Sequence, residues 1–159
     1  MEKISKELSY EIWSVNELPE SAQKLLERAH ANASKAYAPY SHFYVGAALE
    51  LSDGRVVDGN NQENAAYPSG LCAERVALFA AGAQFPEQGG KQLAIVAHTA
   101  EGPLAEPAAP CGACLQSLSE YELRFEEPIT IWLGGKDKVW CFKGVRQLLP
   151  FGFDGSLLP

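Results

Sequence analysis

Cys72-Ala73-Glu74-Arg75 and, further along, Pro110-Cys111-Gly112-Ala113-Cys114 place three of the chain's four cysteines in two short blocks, with a glutamate two residues after the first. Thiolates are zinc ligands, and three of them leave one position of a tetrahedral ion open. A structural zinc normally fills all four positions with protein atoms, so this ligand count predicts a catalytic site in which solvent or substrate completes the sphere. Glu74 stands where it can face the open position without being a ligand, as a group that takes a proton from water and hands it on. Cys141, the remaining cysteine, lies apart between Trp140 and Phe142.

Blander readings fit less well. A Cys-x-x-Cys can be a redox pair or half of a closed zinc knuckle, and cysteine is also a common small buried residue. A redox pair leaves Cys72 and Glu74 unexplained. A closed knuckle needs a second ligand pair beside Cys72, where the sequence offers only Glu74 and Arg75 and no histidine within ten positions on either side. His30, His42 and His98 fall in a helix, a turn and a strand, and nothing directs them to the metal.

The 159 residues, 47% hydrophobic and 21% charged, suit one globular catalytic domain spanning 1–159, with residues 1–20 as an amino-terminal extension of unassigned role. A formal net charge of −7 argues against a nucleic-acid partner, which calls for clustered Lys and Arg. No apolar run approaches the roughly 20 residues of a membrane helix. The start Met-Glu-Lys-Ile-Ser-Lys lacks a signal peptide's apolar stretch. With thiols kept free for metal, the expected setting is the reducing cytoplasm.

The elements that must position these residues follow from periodicity. Residues 9–15 read as a short strand of open position, and Pro19 to Lys35 as a helix with Ser21 as N-cap and Leu25, Leu26 and Ala29 on its buried face. Phe43 to Leu51 and Arg55 to Asp58 form a hairpin across Ser52-Asp53-Gly54, followed by an irregular stretch from Gly59 to Gly70. Leu71 to Ala83 and Cys111 to Tyr121 are helical; Gln92 to Thr99, Pro128 to Leu133 and Val139 to Phe142 are strands. The alternation predicts an α/β fold, a three-layer α/β/α arrangement around a mixed five-stranded sheet. Cys72 then begins one helix, while Cys111 and Cys114 span the first turn of another. Helix N-termini carry partial positive charge and free N–H groups that stabilise thiolate. Three thiolates leave zinc a net anion, and Arg75 is positioned to donate to the sulfurs and draw charge off the metal.

The blocks Tyr37-Ala38-Pro39-Tyr40-Ser41-x-Phe43-x-Val45-Gly46-Ala47-Ala48-Leu49, Gly59-x-Asn61-x-Glu63-Asn64-Ala65-x-Tyr67-Pro68, Cys72-Ala73-Glu74-Arg75 and Pro110-Cys111-Gly112-Ala113-Cys114 closely resemble those of the homotetrameric cytidine deaminases. Leu148-Leu149-Pro150-x-x-Phe153 resembles that family's carboxy-terminal motif. A Pro-Cys-x-x-Cys second half is the known signature of zinc-dependent base deaminases, so this part of the reading is a match to a described class. The resemblance implies hydrolytic deamination of cytidine and 2′-deoxycytidine in pyrimidine salvage. It implies one Zn²⁺ per subunit on Cys72, Cys111 and Cys114, with Glu74 as proton shuttle. Asn61 and Glu63 would read the sugar, Phe43 would pack on the pyrimidine face, and the Ala73 N–H would receive the base carbonyl oxygen. Ala65 and Tyr67 would approach a neighbouring subunit's site and Phe153 would reach it in trans, so catalysis would require the homotetramer.

Two departures stand out. Leu115-Gln116 occupies the place where the family commonly has Arg-Gln, which leaves Arg75 as the main compensating cation. The connection from Ala100 to Ala109 is a few residues longer than usual. A deaminase for a nucleoside antibiotic such as blasticidin S shares the zinc blocks, but the Asn61-x-Glu63-Asn64 segment and Phe43 argue against it. A polynucleotide deaminase would need a basic groove. A zinc-stabilised, non-catalytic interaction protein would have no use for Glu74. The apolar tail from Phe151 to Pro159 would be costly to leave in water, which favours self-association.

Overall fold

The computed structural model describes residues 1–158; Pro159, the end of the apolar tail, lies outside the described residues. Seven strands, β1 (Glu11–Ser14), β2 (Tyr44–Leu51), β3 (Val56–Asn60), β4 (Gly90–Thr99), β5 (Gly102–Pro103), β6 (Thr130–Gly134) and β7 (Lys138–Lys143), form one sheet. Three helices, α1 (Glu20–Ala33), α2 (Ala73–Gln84) and α3 (Gly112–Phe125), cover it. The strand order is β1-β7-β6-β4-β2-β3, with β5 on β4. Only β4 and β6 are hydrogen-bonded in parallel. The mixed α/β architecture is as expected, but the sheet has seven strands where the pattern gave five. Residues 11–14 pair with β7, and the 100–109 connection folds back on β4 as β5.

Period-2 alternation divides the core. Along β2, Ala47 and Leu49 face α2 and α3 while Ala48 faces α1, which packs through Ala22, Leu25, Leu26 and Ala29. Strand β4 has helices over both faces, and its run from Leu93 to Ala97 is accordingly buried throughout. Because β3 and β4 are both antiparallel to β2, they run the same way, so α2 and α3 each follow the carboxy end of a strand pointing toward one end of the sheet.

Local chemistry shifts some boundaries. Ser21 is not the N-cap of α1: Pro19 takes that place with no side-chain cap, and Ser21 sits inside the first turn. Helix α3 runs four residues beyond Tyr121, because nothing in Glu122-Leu123-Arg124-Phe125 breaks a helix. It closes at Glu126, a non-glycine residue at φ 54° whose N–H bonds to the Glu122 carbonyl. The Glu122 carboxylate accepts the N–H groups of Ile129 at 2.7 Å and Val145 at 2.9 Å, tying this end of α3 to β6 and to the segment after β7.

Gly59 sets the seat of α2. A Cβ there would lie 2.3 Å from the Ala73 carbonyl oxygen and 2.6 Å from the Ala77 nitrogen, both backbone. The first turn of α2 is therefore pressed directly onto β3. Gly59→Ala is expected to push α2 outward, lowering stability by about 1–3 kcal/mol and weakening metal retention together. Thermal unfolding and metal titration of the variant check this; a change in neither would show that the close approach constrains nothing.

Candidate active site

Cys72 and Cys111 are the N-cap residues of α2 and α3, both in extended conformation (φ −73°, ψ 154° and φ −69°, ψ 164°), and neither helix start has a side-chain cap hydrogen bond. The first-turn N–H groups and the positive ends of two helices thus converge on the same sulfurs. Cys114, one turn into α3, is buried behind them. The Cys72 and Cys111 sulfurs are 3.9 Å apart and those of Cys111 and Cys114 3.5 Å apart. All three lie within 4.8 Å of one another, and among the described residues this is the only group of three or more His, Cys, Asp or Glu ligand atoms so placed. Three convergent soft donors fit zinc, with no fourth protein ligand to close the sphere. Cys141 is free and buried in the α1 side of the core. His30 and His98 bond to each other at 2.7 Å, and no histidine joins the cluster.

The Cys72 sulfur is pulled down to about 5, first by the hydrogen bond from the Cys114 thiol, against the cost of burial, and then by Arg75 and Cys111. Cys114, giving that hydrogen bond, is pushed up, and its burial adds to the rise. Arg75 points Nη2 at the Cys72 sulfur from 3.9 Å, in the position expected for a charge-compensating cation. Its Nε is buried without a partner. Glu74, 5% exposed in the first turn of α2, is pushed above the ordinary carboxylate range, chiefly by burial and also by the neighbouring Cys72 charge.

A cleft of about 610 Å³ opens in front of the cluster, lined among others by Phe43, Asn61, Glu63, Tyr67, Cys72, Glu74, Arg75 and Cys111. The segment carrying Asn61 and Glu63 is held extended by bridges of Gln62 to Tyr37 on one side and Leu71 on the other. Both side chains have local partners. The Asn61 amide donates to the Phe43 carbonyl at 2.9 Å and accepts from the Val45 N–H at 2.8 Å, which fixes the strand entry that carries Phe43. The Glu63 carboxylate accepts the Tyr40 and Ser41 N–H groups and the Ser41 hydroxyl. The pair therefore also braces the 37–43 turn.

Four expected residues do not line the cleft of their own chain. Ala65 and Phe153 are exposed outside it, while Ala73 and Cys114 are buried and do not belong to its lining. Ser41, Gln62, Leu71, Ala108 and Ala109 do line it and were not singled out by the sequence. Gln62 could have been found from its place between Asn61 and Glu63, and Ser41 from its turn. The two alanines carry no chemical signal. They reach the wall because the 100–109 connection is anchored by the Leu104 N–H on Ala97, the Lys136 N–H on Leu104 and a 2.6 Å Lys138–Glu106 ion pair.

Two helix starts on one sheet, a cluster of three thiols and a buried carboxyl beside them make a site that fits zinc. Comparison with known proteins assigns it further. The family model for the cytidine and deoxycytidylate deaminase zinc-binding region matches residues 19–125. The chain is 43% identical over 98 residues to the cytidine deaminase of Halalkalibacterium halodurans, covering 62% of this chain and 70% of that one. With the Sporosarcina psychrophila cytidine deaminase it shares 44% over 99 residues, covering 62% and 68%. The 1.6 Å crystal structure of cytidine deaminase from Burkholderia pseudomallei superposes with a TM-score of 0.69 at 39% identity, covering 86% of this chain and 100% of that one. The Mycobacterium tuberculosis cytidine deaminase structure gives 0.66 at 34% identity, covering 82% and 95%. The chain belongs to the cytidine and deoxycytidylate deaminase family and is a deaminase.

Cys114→Ala and Cys141→Ala separate ligand from packing, since both thiols are buried and free. The first is expected to abolish zinc retention and the second to leave it intact at comparable cost to stability. Metal analysis of the two purified variants decides, and equal zinc contents would remove Cys114 from the ligand set.

Proposed function

We propose that this chain hydrolyses cytidine and 2′-deoxycytidine to uridine and 2′-deoxyuridine, releasing ammonia, as a step of pyrimidine salvage. One observation carries the reading: in a chain of the deaminase family, three thiols meet at two helix starts, two of them lining the cleft that the buried carboxyl of Glu74 also lines. One zinc ion per subunit, held by Cys72, Cys111 and Cys114, would supply the Lewis acidity that makes water nucleophilic near neutral pH. Glu74 takes a proton from the attacking water and delivers it to the ring nitrogen, then takes the proton of the new hydroxyl on the reacting carbon and passes it to the amine, so that the carbonyl forms as the C–N bond breaks and ammonia leaves; its raised proton affinity suits both directions of transfer. Arg75 offsets part of the thiolate charge. Phe43 packs on the base, and the Ala73 N–H, among the first of α2 and so without an intrahelical acceptor, receives the base carbonyl. Asn61 and Glu63 read the ribose with the capacity left after their local bonds: one amide N–H and lone pair on Asn61, and the fourth acceptor position of the Glu63 carboxylate.

The test is loss of cytidine absorbance with purified protein, with and without a zinc chelator. Glu74→Gln, which keeps size but cannot shuttle protons, is expected to lose at least about 10⁴-fold in kcat while retaining zinc and fold. Activity within tenfold of the parent would assign proton transfer elsewhere.

The active species is proposed to be a homotetramer in the cytoplasm. Four free thiols suit a reducing compartment, and no helix among the described residues is long and apolar enough to cross a membrane. Tyr67 at the cleft mouth is 78% exposed in the single chain, and Phe151 and Phe153 are 87% and 56% exposed. Aromatic surface of this kind favours burial against another copy, with Tyr67, Ala65 and Phe153 closing a neighbour's pocket. Mixing inactive Glu74→Gln chains with inactive Phe153→Ala chains, after dissociation and reassociation, is expected to restore partial activity. Absence of complementation, with Phe153→Ala alone strongly impaired, would make each pocket self-contained.

A further inference from the structure

The family match begins at residue 19, yet the residues before it are bound into the fold. Strand β1 pairs with β7 from Glu11 opposite Cys141 to Ser14 opposite Lys138, closing an otherwise open sheet edge. Trp13 meets Trp132 edge-on at 6.2 Å on the α1 side. On the other face the Tyr10 ring stacks on Phe142 at 5.1 Å. Ahead of the strand, the Ser9 N–H donates to Gln147 Oε1 at 3.0 Å. Lys6 Nζ donates to the Pro150 carbonyl at 2.9 Å and lies 5.5 Å from the centre of the Phe151 ring.

The hydrogen bonds of Lys6 and Ser9 and the Lys6–Phe151 contact all fall on the segment that leads to Phe153. That segment is held from its other side by α3, where Gln116, two residues past Cys114, donates to the Phe153 carbonyl at 2.8 Å. The Arg146–Asp154 ion pair at 2.6 Å staples its two ends. We propose that residues 6–14 are a positioning strap: they clamp 147–151 against the sheet edge so that Phe153 is presented at one fixed place relative to α3 and its cysteines. Lys6 and Ser9 are the positioning residues, and they touch neither cleft nor metal cluster. The clamp itself stands on these contacts alone; its kinetic consequence rests on the deaminase reading above.

The test uses the full chain carrying Lys6→Ala and Ser9→Pro, two exposed positions where the changes remove the ammonium donor and the N–H donor and leave β1 intact. Hydrogen exchange of the amides in 147–153 is expected to accelerate about 5- to 50-fold, with exchange in β2 and β4 unchanged. For cytidine, KM is expected to rise about 3- to 10-fold with kcat within about twofold, and Lys6→Arg, which keeps cation and donors, to behave as the parent. Unchanged exchange in 147–153 overturns the strap. Faster exchange with unchanged KM overturns its role in substrate binding while leaving the deaminase reading standing. If the parent turns over no cytidine, that reading fails and the exchange result alone decides the clamp.

Discussion

Three sulfurs within 4.8 Å of one another, each of which would be a thiolate on a bound zinc, are the constraint around which this molecule is arranged. Like charges so close repel strongly inside a protein, and bringing them together requires positive potential from fixed sources. The fold supplies it through topology. Strands β3 and β4 run in the same direction, and the helices after them begin at the same end of the sheet, so two positive helix ends meet there. Open α/β sheets commonly bind ligands beyond the carboxy ends of their strands, and here the cleft opens at that position. Arg75, with Nη2 3.9 Å from the Cys72 sulfur, adds a full positive charge to the partial charges of the backbone dipoles.

The same charge concentration shapes Glu74. Burial alone raises its proton affinity, and the adjacent thiolate raises it further. A carboxyl one residue from Arg75 would otherwise be an ordinary surface acid. Its place in the first turn of α2, with Gly59 drawing that turn onto β3, puts it under cover and beside the sulfurs. One close backbone approach thus helps decide both where Cys72 sits and how strongly Glu74 holds its proton.

Ligand chemistry was legible in the sequence because it is local: residue types and spacings placed the cysteines and Glu74 on helix starts, and the structure brings them together. Strands β2, β3, β4, β6 and β7 and the three helices were legible from periodicity. What escaped depends on distant partners or on exceptions to propensity. Alternation over residues 9–15 indicates a strand but cannot name β7 as its neighbour, and a two-residue strand such as β5 has no period at all. The end of α3 was hidden because Glu126, without glycine's freedom, adopts a left-handed conformation. The family resemblance implies Asn61 and Glu63 as sugar readers; their bonds to Phe43, Val45, Tyr40 and Ser41 needed the third dimension.

A helix start normally takes Ser, Thr, Asp or Asn, and a residue without such an acceptor there costs about 1 kcal/mol. Both α2 and α3 begin with cysteine and have no side-chain cap, so the site stands on two suboptimal helix termini. Packing offsets this. Ala73, Ala77, Leu78 and Ala81 of α2, with Leu115 and Leu118 of α3, are buried on one face of the sheet, and burial of a single large apolar side chain contributes roughly 1.5–3 kcal/mol. A usual capping residue in place of Cys72 or Cys111 would satisfy a first-turn N–H group but would remove a sulfur from the cluster. The uncapped ends are therefore a requirement of the metal site, tolerated because the interior of the same two helices is packed well enough to hold them in place.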